Sequence, residues 1–444
     1  MLATTVLTLG WCPLSGPSTR ELCLGGSSVG GCRLTPPPPL MTSRFEAENE
    51  FIEEMKETAK QMARPGFGIL ATDESVPTAG KRLKSVGLQN NVENRRSYRD
   101  ILYTTEDLGQ YVSGVIMYDE TLYQTTTDGK RFVDVLHDEG ICVGVKVDKG
   151  LIQLAGTNGE TATQGLDGLA ERCKAYRAEG ARFAKWRAVL KVDEGTPSRR
   201  AVTENAHGLA RYASICQEHG LMPIVEPELT LGPGDYSLER AAYESERFLS
   251  NVMAALNQHD VVLEAMLLKP NFILPGLDAV YTERTMEYVA EYTARTMMRT
   301  VPAAVPGIHF LSGGMGAEEA TLSLQALQRA RPQNAPWSLS FSFGRALQDA
   351  VLNAWSGEER NRQKAQELLL ELNRQALLPL TVESSPVASS DPWSSERVIT
   401  QHLEWQQKLY AKGWVAPNWP VEHGGTGWTA TQKYIWESAS YQGY

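Results

Sequence analysis

Eight short apolar runs, each ending in polar or charged residues, recur along this chain at intervals of roughly 30 to 45 residues. They span 67–74, 112–120, 142–148, 183–187, 222–228, 261–271, 307–314 and 338–345. Within each run the apolar residues are continuous rather than alternating, as expected of strands buried on both faces. Between them lie stretches with helical periodicity, among them Glu204 to His219, Ser237 to His259, Thr282 to Thr300 and Ala317 to Ala330. Eight repeats of strand followed by helix predict an α/β fold, a closed parallel (β/α)8 TIM barrel ringed by helices.

Such barrels carry their chemistry at the carboxyl ends of the strands. That rule gathers Asp73, Lys146, Lys185, Arg187, Glu226, Glu228, Lys269, Ser312 and Arg345 at one mouth. Ion pairs also occur near barrel ends for purely structural reasons. Three lysines and three carboxylates in one water-poor cavity are costly to desolvate, however, and that cost points to function. Lys269, closing the run Glu264-Ala-Met-Leu-Leu-Lys269, stands out among them. Many lysines after an apolar run merely snorkel to the surface. One held at a barrel mouth among cationic neighbours is favoured in its neutral form and can attack a carbonyl.

Long ordered words then bring a family into view. They include Ala71-Thr-Asp-Glu-Ser75, Gly144-Val-Lys-Val-Asp-Lys-Gly150, Leu154-Ala-Gly-Thr-Asn-Gly-Glu160, Gln164-Gly-Leu-Asp-Gly168 and Phe183-Ala-Lys-Trp-Arg187. Ile224-Val-Glu-Pro-Glu228, Leu267-Leu-Lys-Pro-Asn271, Phe310-Leu-Ser-Gly-Gly314 and Gly344-Arg-Ala-Leu347 continue the series. From about residue 47 to about residue 373 the chain resembles the class I fructose-bisphosphate aldolases, the metal-free, lysine-dependent type. The resemblance implies reversible cleavage of fructose 1,6-bisphosphate to glycerone phosphate and glyceraldehyde 3-phosphate. The same chemistry on fructose 1-phosphate or sedoheptulose 1,7-bisphosphate stays open as an alternative, as does a non-catalytic scaffold.

The resemblance assigns Lys269 as the Schiff-base nucleophile and Glu226 as the acid and base of carbinolamine chemistry. Asp73 is the base for the C4 hydroxyl. Lys146 and Lys185 supply positive charge, and Glu228, two residues beyond Glu226 on one strand, is expected to face the same way and balance the lysines. Backbone N–H groups of Ser312, Gly313 and Gly314, with Ser342, Gly344 and Arg345, are expected to hold one phosphate after the seventh and eighth barrel strands. A second phosphate is expected near Lys81, Arg82, Arg95 and Lys146, and Arg187 is a further expected substrate- or phosphate-binding residue. An exposed helix face is the alternative for Arg82 and Arg95. Valine and proline in Ser75-Val-Pro-Thr78 depart from the family pattern and suggest a stiffer loop after the first strand. Met315 and Phe343 are further departures.

Composition sets outer limits. At 444 residues, 42% hydrophobic and a net charge of -10, the chain can bury one large core with appendages, and its acidity argues against nucleic acid as a partner. No apolar run approaches the ~20 residues of a membrane span. The seven histidines and six cysteines show no metal-ligand spacing, so no metal is expected, and His309, in a barrel strand, is read as packing; no flavin is expected either, since the C-terminal segment is too short to bind one. The expected partners are a phosphorylated sugar and, by resemblance, copies of the same chain in a homo-oligomer, a tetramer in the family.

Both ends depart from the barrel pattern. Residues 1–40 are rich in Gly, Ser, Thr and Pro, hold Cys12, Cys23 and Cys32, and contain a single acidic residue, Glu21. By composition they read as a low-complexity, unstructured extension: either a plastid transit peptide or sequence lying upstream of a start at Met41. The second is simpler, because arginine is scarce and no basic amphipathic helix is visible; a cytoplasmic location follows from it. The barrel is expected over 41–380, with Glu358 to Leu377 as the helix after the eighth strand, and a polar linker over 381–395. Beyond it, 396–444 resembles the N-terminal helical piece of acyl-CoA dehydrogenases, without that family's flavin-binding strands. Six of the ten tryptophans fall in the last 52 residues. The terminal Tyr444 stands where relatives carry a tyrosine that reaches the site; its foreign context makes that match a coincidence on this reading.

Overall fold

A computed structural model describes residues 49–230, 234–279 and 286–377. The extension over 1–40, the linker, the dehydrogenase-like segment and Tyr444 lie outside the described residues. Ten strands are described, in chain order β1 Gly68–Thr72, β2 Val112–Met117, β3 Cys142–Lys146, β4 Leu151–Gln153, β5 Thr161–Thr163, β6 Phe183–Lys191, β7 Met222–Thr230, β8 Leu267–Leu268, β9 Gly307–Phe310 and β10 Ser338–Phe343. Eight of them close a parallel barrel in the order β1-β10-β9-β8-β7-β6-β3-β2, and β4 with β5 forms a separate antiparallel hairpin. The expected (β/α)8 barrel is therefore the fold.

Burial explains the unbroken apolar runs. All five residues of β1 and all six of β2 are buried, one face toward the barrel axis and the other toward the surrounding helices. Two glycines make room inside. A Cβ on Gly68 would lie 2.1 Å from the Phe341 ring, and one on Gly144 would lie 2.2 Å from the Phe183 ring. Each bare backbone thus lets an aromatic ring from another strand fill the interior, which is packed rather than open. Helix α1, Ile52–Met62, plugs the barrel, packing Ile52, Met55, Ala59 and Met62 against Ile69, Ile116, Phe183, Met222 and Leu267. Ser113 Oγ donates to the Met62 carbonyl at 3.0 Å, and His309 Nε2 lies 3.2 Å from the same oxygen. His309 is thus a buried anchor as well as a packing residue, and burial pushes its pKa down to about 4.

The outer helices follow the amphipathic stretches with some shifts. After α2 Val76–Ser85, α3 Val92–Tyr103, α4 Asp119–Leu122, α5 Phe132–Asp138 and α6 Leu169–Ala178 comes α7, Arg199–Glu218. It begins ahead of the expected Glu204 because Ser198 caps it, its side chain accepting from the Ala201 N–H. Then follow α8 Leu238–Gln258, α9 Met286–Thr300, α10 Ala317–Ala330, α11 Arg345–Trp355 and α12 Arg362–Leu377. The helix directly after the last strand is α11, not Glu358 to Leu377 as expected. Ser356 and Gly357 turn left-handed at φ 50° and 79°, ending α11 and starting α12 as a second helix. The segment expected to be a stiff loop after β1 is also helical: Val76 and Pro77 open α2, where a proline lacks no needed donor.

Candidate active site

The carboxyl ends of the barrel strands surround a cavity of about 1100 Å³. Asp73, just past β1, reaches Lys185 on β6, with Oδ2 2.6 Å from Nζ. The same Nζ lies 2.9 Å from Glu226 Oε2 on β7, and Glu226 Oε1 lies 3.2 Å from Nζ of Lys269, just past β8. Four charged groups therefore alternate in one chain, Asp73, Lys185, Glu226, Lys269, and the side chains of both lysines are only 4% exposed.

Burial and pairing act in opposite directions on Asp73, Glu226 and Lys185, and pairing wins. Burial raises the Asp73 carboxyl, but Lys185, reinforced by Lys269 and Lys146, holds it well below the usual carboxylate range. Glu226 follows the same balance: burial raises it, Lys185, Lys269 and Arg187 outweigh that, and the carboxyl ends below its ordinary value. For Lys185, burial lowers and the two carboxylates raise, leaving the ammonium firmly charged. At neutral pH the site thus holds two ionised carboxylates beside a permanent cation.

Lys146 and Glu228 sit elsewhere in the charge pattern than expected. Lys146 Nζ is bonded to Asp148, whose side chain also accepts from the Gly150 N–H at 3.1 Å. The Glu228 carboxylate faces the cavity but is bound by Arg187 Nε, so it balances an arginine and not the lysines. Asp148 was missed by sequence reasoning although it lies two residues beyond Lys146, where the strand period would set it on the same side. Glu74 was missed as well: it accepts from Arg99 and from Gln348 Nε2 at 2.8 Å, and its Oε1 lies 2.7 Å from Arg82 Nη1.

Two turns line one side of the cavity. Ser312, Gly313 and Gly314 follow β9, the glycines at φ 58° and 96°, just before α10 begins. Gly344 caps α11, and a Cβ on Gly314 would come within 3.8 Å of Arg345 Nη1, so guanidinium and glycine turn lie side by side. Ser342 Oγ is buried on the cavity wall with no hydrogen-bond partner among the described residues. Backbone donors at helix starts, a guanidinium and a free hydroxyl make an anion cradle. Arg82, Lys146, Lys149 and Arg187 also line the cavity. Arg95 does not: Glu120 binds its guanidinium at 2.9 and 2.7 Å. Lys81 is exposed and likewise absent from the wall. Among the described residues no group of three or more histidine, cysteine, aspartate or glutamate side chains is arranged to hold a metal ion, and no helix is long and apolar enough to cross a membrane.

Comparison with known proteins gives a consistent picture. The family model for fructose-bisphosphate aldolase class-I matches residues 54–384. The cytoplasmic isozyme of fructose-bisphosphate aldolase from Spinacia oleracea is 54% identical over 321 residues, covering 72% of this chain and 89% of the relative. The fructose-bisphosphate aldolase of Dictyostelium discoideum is 50% identical over 325 residues, covering 72% and 90%. Among solved structures, the fructose-bisphosphate aldolase of Plasmodium falciparum, crystallised with TRAP and a small molecule inhibitor, superposes with a TM-score of 0.72 at 47% identity, covering 74% of this chain and 94% of that one.

Proposed function

Since the chain belongs to the class I fructose-bisphosphate aldolase family and is a lyase of that family, we propose that Lys269 is the nucleophile that forms its Schiff base. The observation that carries this assignment is the Glu226 carboxylate set between Lys269 and Lys185. Glu226 Oε1 is near enough to take a proton from the attacking amine, and to return it when the carbinolamine loses water. The resulting iminium acts as the electron sink for carbon–carbon cleavage.

Asp73 is the base for the C4 hydroxyl on this reading. Its depressed pKa keeps it ionised, and Lys185 holds it while remaining cationic as negative charge shifts along the network. The cradle of Ser312, Gly313, Gly314, Ser342, Gly344 and Arg345 takes one phosphate of the ketose. Arg82, Lys146 and Arg187 attract the other. The reaction needs no cofactor beyond the lysine itself.

A cytoplasmic location is proposed on the strength of the cytosolic relatives. A homo-oligomer is also proposed, on the resemblance to the family. Light scattering on the purified chain tests the second point.

The decisive experiment for the site is borohydride reduction in the presence of fructose 1,6-bisphosphate, followed by peptide mapping. A single adduct on Lys269 is expected, with Lys269→Ala folded but unlabelled. An adduct on Lys146 or Lys185 would overturn the assignment.

A further inference from the structure

We infer that Asn271 is a positioning residue for Lys269, its side chain standing in for a strand pairing that the sequence interrupts. The inference rests on the reading of Lys269 as nucleophile.

The sixth strand of the barrel, β8, is only two residues long, pairing Leu267 with Ile224 and Leu268 with Val225 of β7. Lys269 lies just beyond it and is tied by one further ladder bond, its N–H donating to the Val225 carbonyl at 2.8 Å. Carried onward, the same register sets Pro227 opposite Pro270 and Glu228 opposite Asn271. In a parallel ladder the Lys269 carbonyl would next receive the N–H of residue 227, and proline has none. The pairing between the strand bearing Glu226 and the segment bearing Lys269 therefore stops at the two residues whose separation matters most.

The next β7 donor facing this segment is the Leu229 N–H, and it goes to the side chain of Asn271, with N to Oδ1 at 2.8 Å. Asn271 Nδ2 donates in turn to the Phe272 carbonyl at 2.7 Å, fixing which face of the amide is presented. From the other flank, the Leu311 N–H donates to the Pro270 carbonyl at 3.0 Å. The segment Lys269-Pro270-Asn271 is thus fastened on one side by β7 through Asn271 and on the other by the end of β9. A lysine with four rotatable bonds keeps its amine 3.2 Å from Glu226 only if its backbone is held against β7. Removing the Oδ1 acceptor leaves the Leu229 N–H unpaired and frees that edge of the mouth.

The test compares Asn271→Ala with Asn271→Asp in the full chain. Misplacing a reacting group by an ångström can cost on the order of 100-fold in rate. We expect Asn271→Ala to lose about 10- to 100-fold in kcat, with KM for fructose 1,6-bisphosphate within about threefold of the parent. Borohydride trapping of glycerone phosphate on Lys269 should slow in parallel. Asn271→Asp keeps the acceptor for the Leu229 N–H but sets an oxygen against the Phe272 carbonyl where Nδ2 donates, so it should recover part of the lost kcat at saturating substrate, while its added charge raises KM. If Asn271→Ala does not fold, Asn271→Ser takes its place, since its oxygen falls short of the Leu229 N–H.

Unchanged kcat in the alanine variant, a defect confined to KM, or an aspartate variant no better than alanine would each overturn the positioning role. Mapping the parent adduct separates this from the underlying reading. A label on another lysine sinks the nucleophile assignment, whereas a label on Lys269 with an unaffected Asn271→Ala sinks this inference alone.

Discussion

Asp73 and Lys185 meet across the barrel mouth, 2.6 Å apart, from β1 and β6, which are not neighbours in the sheet. A contact across the axis depends on the whole barrel being closed, so it couples the fold directly to the chemistry. It also ranks the roles of the charged groups. Both carboxylates are held ionised, but Asp73 meets a single fixed cation, while Glu226, shared between two lysines, is placed to pass protons to and from the amine.

Asp73→Asn should therefore separate the two halves of the reaction. Loss of a positioned base commonly costs about 10²- to 10⁴-fold, and we expect a fall of that size in cleavage of fructose 1,6-bisphosphate. Schiff-base formation with glycerone phosphate, which needs no C4 hydroxyl, should persist and remain trappable by borohydride. If trapping disappears together with cleavage, Asp73 serves iminium formation and the division of roles proposed above is wrong.

Stability should fall in two stages on the acid side. His309 is held near 4 against an ordinary 6.5, so the unfolded chain takes up its proton first. Stability is full above pH 6.5 and erodes as pH falls toward 4, by an amount on the order of 3 kcal/mol. Asp73 and Glu226 are depressed below their ordinary 3.8 and 4.5, so their contribution is full above about pH 4.5 and is lost as pH falls through the lower folded values. Lys185, raised above 10.5, contributes below that pH and is lost only as pH rises through its higher folded value. Thermal melts of the parent and of His309→Gln across pH 4 to 8 check the first stage. A variant whose melting temperature still falls between pH 6.5 and 4.5 as steeply as the parent's would show that another group controls that window.

The barrel was legible from sequence because its strands are buried on both faces, and burial on both faces writes an unbroken apolar run. Even β8, reduced to two ladder residues, could be found, since the surrounding Met266 to Leu268 and Phe272 are buried as well. The residues carrying Asp73, Lys185, Glu226 and Lys269 were legible for the related reason that polar groups ending such runs must face the mouth. Pairing was not legible. Nothing in the order of residues says that Arg187 takes Glu228 or that Glu120 takes Arg95. Those choices depend on distances between segments far apart in the chain. The division between α11 and α12 was hidden for a different reason: Ser356 in a left-handed conformation is uncommon for a non-glycine residue and gives a weak signal before Gly357.

Chelation should leave activity intact. The described donor groups at the mouth are lysines and arginines paired with carboxylates, a set suited to Schiff-base chemistry and not to a catalytic zinc, which calls for three protein ligands around an open position. Turnover measured after exhaustive dialysis against EDTA should match the untreated enzyme. Loss of turnover restored by added zinc would reject the lysine mechanism altogether.

The anion cradle predicts how substrate selection divides around the mouth. Arg345 lies beside Gly314 and opens α11, while Ser342 contributes a hydroxyl with no partner among the described residues. Arg345→Ala removes the guanidinium but leaves the lysine–carboxylate chain untouched, so the damage should fall mainly on binding. Hydrogen bonds to charged groups are worth about 1.5 to 3 kcal/mol, which corresponds to a rise in KM of roughly 10- to 150-fold. Ser342→Ala, which removes only a neutral donor, should raise KM by less than Arg345→Ala. Inorganic phosphate should compete with substrate in the parent and compete more weakly in Arg345→Ala. Steady-state kinetics on fructose 1,6-bisphosphate and fructose 1-phosphate complete the test. If the cradle holds the phosphate common to both ketoses, the two KM values rise together; a rise for the bisphosphate alone would place the other phosphate at Arg345 and reverse the orientation of the sugar in the barrel.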